Sequence, residues 1–470
     1  MIKNKKNFTE GPLFFRITLF ALPIMLTGAL QIVYNMADNI VVGKFSGDEL
    51  ALGAVGCTSS LTNLIVNLLL GIAAGSGVVI SQLYGSGEAK RVSRAVHTAM
   101  VFSLFGGIFI GALGLIISRP VLTLMGTNEA IIDNAVLYFR IICIGIPASS
   151  VYNFGASVLR STGDSKTPLI ILASTGIVNV LLNLFFVIVC RMSVAGVAIA
   201  TIIAQYLSAV GVVLILIFKK KGECFAFSFK LICFDSSLFK RIIRLGLPAG
   251  FQSSMFSISN VLLASAINTF PPITVSANTI ASQVDAITYV TMNSFSQAVM
   301  TFAGQNYGAK RADRVKKSFI YCLIQITVFG IAISRLELLF KRELASLFVD
   351  MTSPNANLII ETSLSTITLL LNTYIFCGLM DIISCFMRGI GFSILPMIIS
   401  LTGICGIRLI WIYTVFPLER FNTYSGLMLS YPVSWVITLI AFSIAAIFAF
   451  RRLRTLEPDG DEAKPMETAA

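Results

Sequence analysis

Asp38 is the residue whose type and setting most plainly call for chemistry. It stands inside LPIMLTGALQIVYNMADNIVV, residues 22–42, a run otherwise apolar enough to cross a bilayer. Read as a helix, Gln31, Asn35 and Asp38 fall at i, i+4 and i+7 and share one face. A carboxylate at bilayer depth costs about 2.5 to 3.5 kcal/mol on insertion scales, so an acid kept there faces a protein interior or a water-filled cavity. That setting suits a cation or proton site. The alternative is an interfacial acid near the outer helix end, solvated and inert, and the stretch alone leaves both readings open.

Other polar residues inside apolar runs widen the candidate set. Asn179 and Asn183 form an i, i+4 pair on one face, and Thr201 follows in GVAIAT. One carboxylate with two amide oxygens and a hydroxyl is a hard-ligand set, suited to Na⁺ or to a proton held on Asp38. The rival reading makes the amides and hydroxyl interhelical hydrogen-bond glue, about 1 kcal/mol each. Two further acids, Asp285 and Asp381, with Gln252 and Gln283, are candidates for lining a cavity in the C-terminal half. For Asp381 the alternative is an ion pair with Arg388, two helical turns on.

The whole chain excludes several function classes. Its 470 residues are 56% hydrophobic and 12% charged, with a mean hydropathy of +0.85, which describes a polytopic membrane protein rather than a soluble one. The net charge of +12 sits in short basic clusters between apolar runs, the pattern of a positive-inside topology and not of a nucleic-acid binder. A single histidine, His97, rules out a histidine-based zinc or catalytic cluster within the chain. The 9 cysteines form no CxxC and fall mostly in apolar segments, so they read as small buried hydrophobes. The first apolar run is longer than a signal h-region and lacks a small-residue cleavage site.

An all-α architecture must position these side chains. A spanning helix needs roughly 20 apolar residues, and twelve segments qualify: 17–42, 52–79, 95–118, 131–158, 168–189, 194–218, 242–269, 273–302, 318–340, 358–387, 392–416 and 423–450. The ninth is interrupted by Arg335 and Glu337. Most of the basic residues, Arg160 and Arg388 among them, fall to one side, which predicts cytoplasmic termini. The reading divides the chain into an N-lobe (1–218), a cytoplasmic linker (219–241), a C-lobe (242–454) and a disordered tail (455–470). The halves repeat in parallel. Leu22-Pro23 recurs as Leu247-Pro248, SQLYGSGEAKRV from Ser81 as GQNYGAKRADRV from Gly304, and RSTGDSKTP from Arg160 as RGIGFSILP from Arg388. Parallel repeats of this kind enclose a central cavity.

The set LP…Asp38, the Tyr84-Gly85 and Tyr307-Gly308 junctions, the two Arg-x-x-Gly…Pro turns and Gly196…Thr201 resembles the MATE (multidrug and toxic compound extrusion) family, prokaryotic branch, over about residues 12–450. The resemblance implies two pseudo-symmetric six-helix bundles in a V around a cavity that opens to each face in turn. It implies a monomeric cytoplasmic-membrane antiporter that exports amphipathic, often cationic small molecules against inward H⁺ or Na⁺, with no cofactor. Carried over by position, Asp38, Asn179, Asn183 and Thr201 match the family's N-lobe cation site. Some members have a carboxylate at Asn183, and Ser257 and Ser259 occupy the neighbourhood of a seventh-span glutamate. A lipid-linked oligosaccharide flippase shares the architecture but calls for a strongly basic central cavity. A membrane enzyme lacks a catalytic constellation here, and a channel would show flux without exchange.

Overall fold

The structure, a computed structural model, describes residues 8–45, 51–349 and 354–454. The expected tail 455–470 and the basic residues Lys3, Lys5 and Lys6 lie outside the described residues. Helices account for the fold: α1 (Leu13–Phe45), α2 (Ala51–Gly85), α3 (Ala89–Leu124), α4 (Glu129–Ser161), α5 (Lys166–Leu184), α6 (Ser193–Leu214), α7 (Ser236–Ile267), α8 (Pro272–Gly308), α9 (Ala312–Leu339), α10 (Lys341–Ser346), α11 (Ala356–Gly389), α12 (Ile394–Ser400), α13 (Ile407–Ile410), α14 (Tyr424–Met428) and α15 (Ser430–Arg454). Wider π turns extend α5 and α6 and join α12 to α13.

Ten described helical stretches are long and apolar enough to cross a membrane. The expectation of twelve spans is therefore met for ten. The other two, residues 242–269 and 273–302, form α7 and α8, of 32 and 37 residues. At 1.5 Å per residue either exceeds a hydrocarbon core of roughly 30 Å. Their serines, amides and Asp285 make them the more polar pair. The interruption at Arg335 and Glu337 does not break α9, which runs on to Leu339.

α3 to α6 pack mainly on one another and on α1 and α2, while α8, α9, α11 and α15 form the second bundle, and α1 and α2 pack on both. The seam between them is built from repeat-related pieces. α7 lies along α2, and α1 lies along α8. Glycine allows the first contact: a Cβ on Gly71 would stand 2.1 Å from Gly250 Cα, and one on Gly75 2.4 Å from Gly246 Cα. At the end carrying the basic clusters, α2 and α8 meet reciprocally. A Cβ on Gly85 would lie 1.9 Å from Gln305 O, and one on Gly308 1.9 Å from Gln82 O. The glutamines then cross the seam, Gln82 Nε2 donating to Gly389 O (2.7 Å) and Gln305 Nε2 to Ser161 O (2.7 Å). The repeated Tyr-Gly and Arg-x-x-Gly motifs are thus the two halves of one closure.

The Arg-x-x-Gly turns also have a local cause. Gly163 and Gly391 adopt φ of 94° and 98°, the left-handed region where glycine carries no Cβ penalty. Each ends its helix with the same bonds, Gly163 N to Arg160 O (3.0 Å) and Gly391 N to Arg388 O (2.9 Å). The helix stops there, and the arginine stays in its last turn.

The segment between α6 and α7 is packed rather than free. Phe225 and Phe227 are buried, and Lys220 pairs with Asp164 at 2.8 Å. His97 Nδ1 lies 2.7 Å from Ser93 O and Nε2 accepts from Ser228 N at 3.1 Å, with Phe227 stacked on the ring. The only histidine therefore fastens this segment to α3. Asp235 caps α7, accepting from Ser237 N and Leu238 N at 3.0 and 3.1 Å.

Two outcomes follow from this packing. Gly85→Ala or Gly308→Ala overpacks the seam, at about 1–3 kcal/mol, and shifts the closed end toward opening by roughly 5- to 150-fold. Alkylation of a cysteine placed at buried Ser81 then speeds up, and an unchanged rate contradicts the close approach. Hydrogen bonds from Ser237 and Leu238 hold the Asp235 carboxyl below its ordinary value. Its stabilisation is complete above the ordinary carboxylate range and is lost as pH falls through the lowered value. Asp235→Ala therefore costs about 1 kcal/mol in thermal unfolding at neutral pH, and the penalty shrinks in strong acid.

Candidate functional site

A cavity of about 690 Å³ lies between the two bundles. It runs from Asp38 on α1 to Arg160 and Ser161 at the closed seam, and α2, α4, α5, α6, α7, α8 and α11 complete its wall. Amides dominate the polar lining: Gln31, Asn35, Asn63, Asn67, Asn153, Asn179, Gln205, Asn293 and Gln297, with Tyr34, Tyr152 and Tyr289 as aromatic surface.

Asp38 is half-buried, and its Oδ1 accepts a short hydrogen bond from Asn183 Nδ2. Asn183 is fully buried and lies 3.4 Å from Asn179 Oδ1. Its own Oδ1 has no partner. Thr201 lines the same cavity and donates to Val197 O at 2.9 Å, which leaves its lone pairs free to accept. Among the described residues no lysine or arginine pairs with Asp38. The structure thus brings Asp38, Asn179 and Asn183 together at one end of the cavity, and Thr201 onto the same wall. A carboxylate beside an unpartnered amide oxygen, reachable by water, has the chemistry to take a proton or a small cation. No group of three or more His, Cys, Asp or Glu residues that could hold a metal ion occurs among the described residues.

α1 is held where it is by α5. Tyr34 Oη donates to Ala173 O at 3.1 Å, and its ring occupies the space above Gly176, where a Cβ would stand 2.0 Å away. Pro23 lacks an N–H inside α1, and Thr27 Oγ1 donates to Pro23 O at 2.7 Å.

Of the remaining candidates, Gln31 and Asn35 line the cavity beside Asp38. Gln252, Gln283, Asp285 and Asp381 are not among its lining residues. Gln252 is buried behind the wall, donating to Ser400 Oγ at 2.8 Å and accepting from Arg388 Nη2 at 2.6 Å. Gln283 is half-buried elsewhere on α8. Asp285 lies within the second bundle, in electrostatic reach of Glu337 on α9 and of Tyr374 on α11, and Glu337 accepts from Thr288 Oγ1 at 2.9 Å. Asp381 makes no ion pair with Arg388 among the described residues, because that guanidinium reaches Gln252 instead.

Arg160 and Arg388, grouped by the positive-inside rule with the basic residues of one side, also line the closed end of the cavity, a role the charge count does not indicate. The repeat marked them as a pair, but charge counting hides which way a residue in a terminal helical turn points. Tyr138 on α4, within electrostatic reach of Asp38, has no sequence signal of its own.

The MatE family model matches this chain twice, over residues 23–185 and 248–414. The two matches begin at Pro23 and Pro248, the prolines that the internal repeat pairs. Among curated relatives, the "Probable multidrug resistance protein YoeA" of Bacillus subtilis (strain 168) is 28% identical over 433 residues, covering 90% of this chain and 91% of that one. A protein of Shewanella oneidensis named "FAD transporter" is 23% identical and covers 96% of this chain and 97% of its own length. A solved MATE transporter described as outward-facing superposes with a TM-score of 0.87 at 20% identity, covering 97% of this chain and 100% of that one.

The contact at the cavity's acid can be measured without reference to function. A hydrogen bond to a charged group is worth about 1.5–3 kcal/mol. A double-mutant cycle of Asp38→Asn with Asn183→Leu, read by thermal unfolding, yields a coupling of that order. Additivity within about 0.5 kcal/mol contradicts the contact.

Proposed function

The chain belongs to the MatE family, and we propose that within it this protein is an antiporter exporting amphipathic compounds, cations among them, in exchange for inward H⁺ or Na⁺. One observation carries the reading: the Asp38 carboxylate, inside a helix bundle, has no basic partner among the described residues and opens onto a cavity large enough for a small organic molecule. The names of relatives such as the probable multidrug resistance protein of Bacillus subtilis support efflux as the direction. The positive-inside rule makes the closed, basic end of the bundle cytoplasmic, with both termini there. The conformation described is then outward-facing, in a multi-pass protein of the cytoplasmic membrane acting as a monomer without cofactor.

In this cycle Asp38 takes up H⁺ or Na⁺ from outside, with the unpartnered Asn183 Oδ1, Asn179 and Thr201 as the neutral ligands of a metal cation. Neutralising the carboxylate changes what Asn183 and the face of α1 pack against, and cargo is released. Facing inward, the site loses its cation and cargo rebinds. The driving force is bounded. One charge across ~100 mV supplies about 2.3 kcal/mol, and one pH unit adds about 1.4 kcal/mol. Together these hold a gradient of roughly 500-fold for an uncharged cargo at one proton per molecule, and about tenfold for a monovalent cation, whose export cancels the charge moved by the proton.

Dye efflux from proteoliposomes under an imposed proton or Na⁺ gradient tests the proposal. Wild type exports when either gradient points inward, and Asp38→Asn loses the gradient-driven component by tenfold or more. Transport independent of both gradients, or intact in the variant, overturns it.

A further inference from the structure

The closed end of the cavity has a polarity opposite to that of Asp38. Arg160 and Arg388 occupy repeat-equivalent positions, each in the last turn of its helix and each held there by a left-handed glycine three residues on. Both line the cavity. The Arg160 side chain makes no hydrogen bond or ion pair among the described residues. Arg388 donates to Gln252 Oε1 at 2.6 Å, while its Nε is buried without a partner. The nearest acid in sequence to Arg160 is already engaged, since Asp164 accepts from Lys220 at 2.8 Å and from Thr167 N and Oγ1 at 3.1 and 2.9 Å. The equivalent position after Arg388 is Phe392. Asp38 lies toward the far end of α1, whose 33 residues span about 50 Å at 1.5 Å each.

Arg160 is desolvated at the bottom of a cavity walled by amides and aromatics and has no counter-charge there, while Arg388 has Asp381 within electrostatic reach but makes no ion pair with it among the described residues. Taking a charge from water costs several kcal/mol unless an opposite charge with matching hydrogen bonds is brought to it. The planar fork of arginine matches the two oxygens of a carboxylate or a phosphate. Tyr152 and Tyr289 stand beside Arg160 and Arg388 respectively and give a planar body something to lie against.

We infer that Arg160 and Arg388 form an oxyanion clamp at the closed end, which takes the carboxylate or phosphate of an amphipathic cargo while its apolar body lies along the tyrosines. This rests on the cavity being the cargo site and names the chemistry that site selects. Among the amphipathic compounds proposed as cargo, the clamp then favours organic acids and zwitterions, and cations that also carry an oxyanion. The closed seam and the clamp are also one device, because Ser161 and Gly389, which receive the crossing glutamines, directly follow the two arginines. Opening the basic end therefore separates the two halves of the clamp and releases the oxyanion from one of them.

Equilibrium binding of pyrenebutyrate, pyrenebutyl phosphate and uncharged pyrenebutanol to the purified chain tests this without requiring transport. The two acids bind wild type at least tenfold more tightly than the alcohol. Arg160→Gln and Arg388→Gln each reduce that advantage by tenfold or more, Arg160→Lys and Arg388→Lys retain part of it, and the alcohol reports that the cavity is still folded. Equal affinity for acids and alcohol in wild type, or an advantage that survives in the double glutamine variant, overturns the clamp. Displacement of pyrenebutyrate by a phosphate-headed lipid as well as by short organic acids assigns a lipid cargo, and displacement by the short acids alone assigns a soluble one; either result keeps the clamp. Gradient-driven efflux fails separately: loss of coupling with the acid preference intact removes the antiporter and leaves the clamp.

Discussion

An acid without a base is the constraint on which this molecule turns. Asp38 sits in a helix that is otherwise apolar, and among the described residues its one direct hydrogen-bond donor is Asn183. A carboxylate in that setting is tolerable only while water, a proton or a cation reaches it. The cavity supplies the access. The contacts of α1 with α5, through Tyr34, Ala173 and Gly176, fix the distance between the carboxylate and its amide neighbours. Whatever changes the charge of Asp38 changes the packing of the one helix that carries it.

The opposite end depends on close packing rather than charge. Two glycines in the repeated Tyr-Gly motif let α2 and α8 touch backbone to backbone, and two glutamines bridge them to the ends of α11 and α4. No large side chain is interposed, so the seam separates without dragging a plug through the cavity. The N-terminal segment adds a cover, with Phe8 stacked on Phe302 at 3.9 Å and Arg314 donating to Phe8 O at 3.0 Å. The cavity is thus acidic at the end near Asp38 and basic at its closed floor, and a bound molecule feels a field along its length.

Much of this was legible in the residues. The parallel repeat and the placement of most spans follow from apolar run length and paired motifs; i, i+4 spacing puts Asn179 and Asn183 on one face, and their meeting with Asp38 is what the family resemblance implies. What escaped has physical reasons. α7 and α8, both among the twelve expected spans, carry more serine and amide than the other long helices because they face the seam and cavity rather than lipid alone. Asp285 and Asp381 sit at helical positions that a period of 3.6 leaves ambiguous without knowing the neighbours, and they lie within the second bundle rather than on the cavity wall. Charge counting assigns Arg160 and Arg388 to a side of the membrane but not to the cavity, because it does not show which way a residue in the last turn of a helix points.

The central claim is that cargo and coupling ion compete through Asp38. Proton or Na⁺ release on cargo binding, measured with the purified protein in weakly buffered solution, tests it most directly. The account expects close to one ion released per cargo molecule bound in wild type and none in Asp38→Asn at saturating cargo. Release of the same size in both proteins, or cargo binding to wild type with no ion released across the accessible pH range, contradicts it.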